Sequence, residues 1–165
     1  MTQSTYIKLS LLTLILFIKS NDLKCQSIQS YVDIVKQHRL FVDSLINSYY
    51  SNPATTLLHD IIHYSCLNNN IGYGSGGSAD IYKAPQTKTI YQLSYTNGCD
   101  SVITERTLYF INNKIVLAII SNSAKSVIVY YRNDKYLNID NFSLVSEKLA
   151  DKILVDGYLI LKGFK

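Results

Sequence analysis

The stretch that decides the fold is residues 101–139, SVITERTLYFINNKIVLAIISNSAKSVIVYYRNDKYLNI. Segments rich in β-branched and aromatic residues follow one another here, and they are Ser101–Ile111, Lys114–Ser121, Val127–Arg132 and Lys135–Ile139. Two of the connections between them, Asn112-Asn113 and Asn133-Asp134, consist of residues that tolerate positive φ. Connections this short leave no room for a crossover helix, so neighbouring strands must run antiparallel. The stretch therefore predicts a β-meander.

The meander extends towards the N-terminus. Asp80–Ala84 and Thr89–Thr96 are further candidate strands, and Asn97-Gly98 is a third two-residue hairpin connection. The glycine-rich stretch 72–78 precedes them and has the composition of a flexible linker. The hydrophobic period changes from about 3.6 residues before this stretch to about 2 after it. We therefore expect an antiparallel sheet of five to seven strands on its C-terminal side.

The residues before the glycine-rich stretch predict a helical pair. Ile28–Tyr50 carries one apolar stripe at helical spacing, and Ser51-Asn52-Pro53 then breaks the helix. A second helix is expected from about Ala54 to Cys66, because its apolar residues recur at helical spacing. The residues expected on the packed side of this second helix are Leu57, Leu58, Ile61, Ile62 and Ser65.

The C-terminal residues predict a short helix and a last strand. Ser143 is suited to cap a helix that runs to about Val155, and Gly157 is suited to end it in a left-handed conformation. Tyr158–Phe164 would then form the last strand. The expected fold class is α+β, with the helices packed on one face of the antiparallel meander.

The first twenty-five residues have the layout of a cleavable secretory signal. A segment with one lysine precedes the run Leu9–Ile18, and the polar segment KSNDLKC follows it. As a helix this ten-residue run spans about 15 Å, half of a roughly 30 Å hydrocarbon core, so no transmembrane anchor is expected. Cleavage after Ser20 or after Cys25 would fit, and acylation of Cys25 is disfavoured because Lys24 precedes it. We expect a single α+β domain, residues 26–165, in the periplasm or secreted.

Composition narrows the classes of partner. The chain is 47% hydrophobic and 17% charged, which is too apolar for a disordered protein. Its formal charge of +4 falls to +2 once residues 1–25 are removed, and the Lys and Arg residues are scattered. No nucleic-acid partner is therefore expected. The fourteen Tyr residues suit half-buried strands, and a Tyr-lined binding face is the alternative interpretation.

Two cysteines, Cys66 and Cys99, remain if Cys25 leaves with the signal. In an oxidising compartment they predict a disulfide that closes a loop of about thirty residues and contributes roughly 3–4 kcal/mol. Two buried free thiols are the alternative.

The pattern His59-Asp60-Ile61-Ile62-His63 looks like the HExxH motif of zinc metallopeptidases, with Asp60 in place of Glu. On a helix, His59 and His63 would share one face and could bind a zinc ion, with His38 or Asp43 as the third ligand. Aspartate is one methylene shorter than glutamate and would hold a metal-bound water poorly. We therefore expect no cofactor, with zinc as the alternative.

Three functional hypotheses follow. The first is a non-enzymatic domain that binds a protein, a glycan or an envelope component. The second is a small metal-dependent hydrolase built on His59 and His63. The third is a subunit of a surface assembly that pairs through a sheet edge with few charges, and Lys114–Ser121 is a candidate for that edge strand. Over its whole length, the signal followed by an Asn- and Tyr-rich meander resembles small exported uncharacterised proteins of the Bacteroidota. This resemblance implies a periplasmic or secreted domain.

Overall fold

The computed structural model describes residues 27–52, 57–65, 76–97, 104–122, 125–137 and 145–163. The elements along these residues are α1 (Ile28–Ser51), β1 (Leu58–Ser65), β2 (Gly76–Lys83), β3 (Ile90–Asn97), β4 (Thr104–Ile111), β5 (Lys114–Ser121), β6 (Ser126–Arg132), β7 (Lys135–Leu137) and α2 (Glu147–Gly163). The proposed signal and both cysteines of the proposed disulfide lie outside the described residues. Within the described ranges, no helix is long and apolar enough to cross a membrane.

The chain divides into two compact units, residues 1–34 and 35–165, and the division falls inside α1. In the first unit the described residues begin α1, and Ser27 acts as its N-cap because its Oγ accepts the Ser30 N–H at 3.1 Å. Gln29 also donates to Asp33 at 3.0 Å one turn further on. The second unit holds the rest of α1, the sheet and α2. The predicted first helix is thus confirmed almost to the residue.

The sheet is the antiparallel meander that the sequence predicts. Its seven described strands lie in the order of the chain, β1 to β7, and each pairs with the next in antiparallel register. Asn112 and Asn113 have φ values of 52° and 61°, and Asn133 and Asp134 have 54° and 60°. Two consecutive positive φ values are what a two-residue type I′ hairpin requires, so both predicted turns are confirmed.

One face of the sheet packs against α2. Directly paired residues form an apolar row across five strands on this face, and all are at most 1% exposed: Ile81, Leu93, Leu108, Ala118 and Val129. The buried residues of α2 recur at spacings of three and four, and they are Ala150, Ile153, Gly157 and Ile160. The Tyr131 hydroxyl donates to the Ala150 carbonyl at 2.8 Å and ties β6 to this helix.

The other face packs against the second-unit part of α1. The Tyr109 hydroxyl on β4 donates to Asp43 Oδ1 at 2.7 Å, and His38 Nε2 lies 2.8 Å from the Phe110 carbonyl oxygen. The two helices therefore cover opposite faces, and the expectation that they share one face is wrong. The reason is that both faces of the strands carry buried side chains, so each face needs its own cover.

The predicted helical pair is also wrong, because residues 58–65 form strand β1 and not a helix. All eight residues of β1 pair with β2 without a shift in register. Its inward residues Ile62 and Tyr64 pack against the core beneath α2. Tertiary pairing therefore overrides a spacing that fits a helix equally well.

The C-terminal prediction is corrected in the same way. The helix begins after Ser146, whose Oγ accepts the Leu149 N–H at 3.3 Å, and it runs through Gly157 to Gly163. The predicted last strand, Tyr158–Phe164, is therefore wrong over the described residues. Gly157 therefore lies inside the helix and does not end it. The absence of a side chain at this position lets α2 approach Leu108 and Ile115.

Candidate functional site

The candidate site is the outer side of β1, here called the β1 edge. No described strand pairs with β1 on the side away from β2. In an antiparallel strand, alternate residues direct their N–H and C=O groups to each side, so every second residue of β1 points these groups outward. Two large apolar side chains of β1 are exposed, Ile61 at 61% and Leu58 at 41%, and they lie on opposite faces.

Side chains on the α2 face hold β1 against its neighbours. Asp60 forms an ion pair with Lys83 of β2, and Lys83 is 9% exposed. The Tyr64 hydroxyl reaches over β2 and donates to the Thr96 carbonyl of β3. It passes above Gly77, where a Cβ atom would lie 2.6 Å from the Tyr64 hydroxyl oxygen. The glycine therefore makes room for a bridge that spans three strands.

On the α1 face, β1 is held by a cluster that we call the aromatic cluster: Tyr49, Tyr50, His59 and Tyr82. The His59 and Tyr82 rings stack with centroids 4.6 Å apart and an interplanar angle of 7°. Tyr49 meets the His59 ring edge-on at 6.0 Å. The hydroxyl oxygens of Tyr50 and Tyr82 lie 2.6 Å apart, so they share one hydrogen bond. The cluster joins the end of α1 to the first two strands.

An acidic partner completes this arrangement. His59 Nε2 lies 2.8 Å from Asp80 Oδ1, and the Asp80 side chain is 42% exposed. Burial raises the pKa of the Tyr82 hydroxyl above its usual value, and Tyr50 and Asp80 raise it further. Like any tyrosine, Tyr82 is neutral at physiological pH, and its hydroxyl is available for hydrogen bonding.

The His59–Asp80 pair resembles the base of a hydrolytic triad only in composition. Such a base must face a nucleophile or a reacting water. Among the residues that the structure describes, the imidazole ring of His59 has two aromatic neighbours besides Asp80, since Tyr82 is stacked on it and Tyr49 meets it edge-on. These contacts join β1 to α1 through Tyr49 and to β2 through Tyr82 and Asp80.

The structure separates the three histidines of the zinc hypothesis. His59 and His63 share one face of a strand, where four residues span about 13 Å, whereas four residues of a helix span about 6 Å. His38 contacts the Phe110 carbonyl, and it precedes Tyr49 by eleven residues, about 16 Å along the helix. Asp43, the alternative ligand, accepts the Tyr109 hydroxyl. Among the described residues, no three His, Cys, Asp or Glu side chains are grouped so that they could hold a metal ion.

Half of the eight tyrosines on the described strands are buried. Four of them are at most 5% exposed: Tyr82, Tyr95, Tyr109 and Tyr131. Burial raises the pKa of Tyr95 to about 12 despite the opposing charge of Arg106, whose guanidinium carbon lies 5.9 Å from the centre of the ring. Arg106 is itself 3% exposed and donates to Asp156 of α2 at 2.9 Å. The ion pair between Arg106 and Asp156 therefore joins β4 to α2.

Sequence reasoning missed Asp80, Tyr50 and Tyr82 as members of the site. Tyr50 and Tyr82 are thirty-two residues apart, and only the return of the chain along β1 and β2 brings them together. No strict alternation of apolar and polar residues marks β1 in the sequence, because Ile61 and Ile62 are adjacent. Comparisons of the chain with protein-family models, with curated proteins and with solved structures gave no match.

Proposed function

We propose that the protein is an exported, non-enzymatic interaction domain that binds an extended polypeptide segment along the β1 edge. The observation that carries this proposal is an eight-residue strand at the edge of the sheet that the described strands form, LHDIIHYS, which contains no Lys, Arg or Pro. Sheet edges in proteins that avoid such pairing are short, or they carry charged side chains (especially Lys), Pro or a bulge. Strand β1 has no bulge in its register with β2, and its one carboxylate, Asp60, is paired with Lys83.

The opposite edge of the same sheet provides the contrast. Strand β7 has three residues, begins with Lys135 and follows a tight turn. The Asp134 carboxylate in that turn accepts the Tyr158 hydroxyl of α2 at 2.7 Å and lies 3.5 Å from Lys114 Nζ. One edge is thus short, charged and joined to a helix, whereas the other is long and bears a single acidic side chain.

The chemistry of the β1 edge fits an extended backbone. Outward N–H and C=O groups at every second residue match the spacing of another strand and no other common backbone geometry. A strand added here would also cover Ile61 on one face and Leu58 on the other. Main-chain hydrogen bonds would supply affinity, and the two apolar side chains would supply preference for β-branched or aromatic partners.

Strand β1 is already held in place for such pairing. The Asp60–Lys83 ion pair, the Tyr64–Thr96 hydrogen bond and the His59–Asp80 contact fix it to β2 and β3 from both faces. A preorganised edge loses little conformational freedom on binding, which favours affinity. These contacts support a recognition role for the residues that would otherwise suggest catalysis.

The test is a selection of random octapeptides displayed on phage against the mature protein, followed by amide hydrogen exchange with one selected synthetic peptide. We expect enriched peptides to alternate β-branched or aromatic residues with polar ones, and to slow exchange at outward amides of β1. Ile61→Lys should abolish their binding, whereas Ile128→Lys, which changes an equally apolar residue that is 44% exposed on β6, should not. Selected peptides that bind both variants equally and leave β1 exchange unchanged would overturn the proposal.

A further inference from the structure

We infer that the extended segment that pairs with the β1 edge is β1 of a second copy of this chain, so that two sheets join into one. This inference rests on the proposed function and names its partner. It follows from the symmetry that an edge strand must obey when it pairs with itself, together with the distribution of charge and apolar surface along β1.

The symmetry restricts the possible registers. Two copies of an edge strand that run antiparallel in one sheet are related by a two-fold axis perpendicular to that sheet. Such an axis continues the α1 face of one copy into the α1 face of the other. Directly opposed residues share a face, so each residue of β1 can oppose only itself or a residue an even number of positions away.

Three registers place the two-fold axis near the middle of β1, at Asp60, Ile61 or Ile62, and electrostatic repulsion excludes the first. A two-fold axis at Asp60 would place two carboxylates directly opposite each other, which is destabilising. An axis at Ile62 would place Leu58 opposite residue 66, which lies beyond the end of β1. The exposed Leu58 side chain would then have no opposing residue within the strand. The axis at Ile61 avoids both problems.

The register centred on Ile61 is self-complementary. The most exposed apolar residue of β1 then meets its own counterpart across the axis. Leu58 lies directly opposite Tyr64, whose ring is directed across β2 of its own chain. Asp60 opposes Ile62 and keeps its ion pair with Lys83 of its own chain. On the α1 face, His59 opposes His63. No residue of β1 therefore faces a like-charged carboxylate or a lysine in the second copy.

The register makes a geometric demand that cysteine substitution can test. Opposed residues in an antiparallel pair have Cα atoms about 4.5–5.5 Å apart, within the ~4.4–6.8 Å range of a disulfide. Ile61→Cys should therefore cross-link with itself under mild oxidation. His63→Cys lies on the same face, but its counterpart is four strand positions away, about 13 Å along the strand, so it should not cross-link with itself.

The experiment measures the mass of the mature protein by light scattering over concentrations up to about 100 µM, a range that reveals dissociation constants of micromolar order. We expect a dimer that Ile61→Lys weakens at least ~100-fold and that Ile128→Lys leaves intact. In the Ile61→Cys variant, mass spectrometry should detect two copies of the β1 peptide joined by a disulfide at the substituted position, with the wild-type chain and its native cysteines as the baseline. A mixture of His59→Cys and His63→Cys should cross-link, whereas neither variant should do so alone.

The outcomes separate the two proposals. A monomeric protein whose β1 edge still binds selected peptides would overturn self-pairing and leave the proposed function standing. A monomer with outward β1 amides already protected from exchange would overturn both, because the chain would then cover its own edge. A dimer that survives Ile61→Lys, or a cross-link at Ile62→Cys in place of Ile61→Cys, would overturn the pairing described here.

Discussion

Replacing Gly157 by alanine should destabilise the protein, although alanine is the better helix former. In an open helix the change would favour folding by about 1 kcal/mol. Here a Cβ atom at position 157 would overlap Leu108 Cδ1 and would lie 3.1 Å from Ile115 Cδ1. Leu108 is fully buried and Ile115 is 1% exposed, so neither side chain can move into solvent.

The two effects can be compared in magnitude. Forcing a methyl group into a packed core costs roughly 1–3 kcal/mol, which exceeds the helical gain. We expect a net loss of about 1 kcal/mol in the free energy of unfolding. For a chain of this size the loss corresponds to a fall of about 2–4 °C in Tm.

The assay is urea and thermal unfolding followed by circular dichroism, with Gly163→Ala as the matched control. Gly163 belongs to the same helix, and a Cβ atom there would meet nothing within 4 Å. The control should therefore be neutral or slightly stabilising. The double variant Gly157→Ala/Leu108→Val should lose less stability than the sum of the single variants, since valine removes the overlapping methyl group. If Gly157→Ala raised the stability as much as Gly163→Ala does, the close approach of α2 to the sheet would be refuted.

Two further predictions concern the polar groups beneath α2. Asp156→Asn should lower the free energy of unfolding by about 2 kcal/mol in urea titrations, because it removes the carboxylate that pairs with Arg106, a residue only 3% exposed. Asp151→Asn, at an exposed position of the same helix, is the control. An equal effect of the two substitutions would contradict the role of Asp156. Burial raises the pKa of Tyr95 to about 12 from 10.0. The unfolded chain therefore loses this proton first, and up to about 2–3 kcal/mol of stability should be lost as the pH rises from about 10 to 12. Tyr95→Phe should make that part of the stability-against-pH curve less steep, and the remaining slope is expected from other tyrosines with raised pKa values, such as Tyr82. An unchanged slope would contradict the assignment to Tyr95.

The sheet was predictable because its signals are local. Asn112-Asn113 and Asn133-Asp134 adopt the positive φ values that their side chains tolerate, and each lies between segments with a period of two. The order of the strands then follows from the shortness of the connections. No such local signal marks Gly157, because a glycine that ends a helix and one that admits a close neighbour look alike in a single sequence.

The candidate site was less predictable, because long-range pairing creates it. The sequence proposes His59 for a metal site on a helix, whereas the structure places it on strand β1. Its partners Asp80 and Tyr82 come from β2, and Tyr49 comes from α1. These contacts depend on which strand occupies the edge of the sheet, and the spacing of residues in the sequence does not encode that position.

The error over β1 itself bears on function. A strand with one covered face alternates apolar and polar residues, and adjacent apolar residues are expected only where both faces of the strand are buried. In β1, Ile62 is packed inward and its neighbour Ile61 is 61% exposed on the other face. This adjacent pair breaks the alternation and, with Leu57 and Leu58, produces the spacing of a helix. Local rules tend to fail where a sequence serves binding as well as folding. Ile61, which contributes to the helical spacing of β1 in the sequence, is therefore the residue that we expect at the centre of the proposed pairing between two copies of β1.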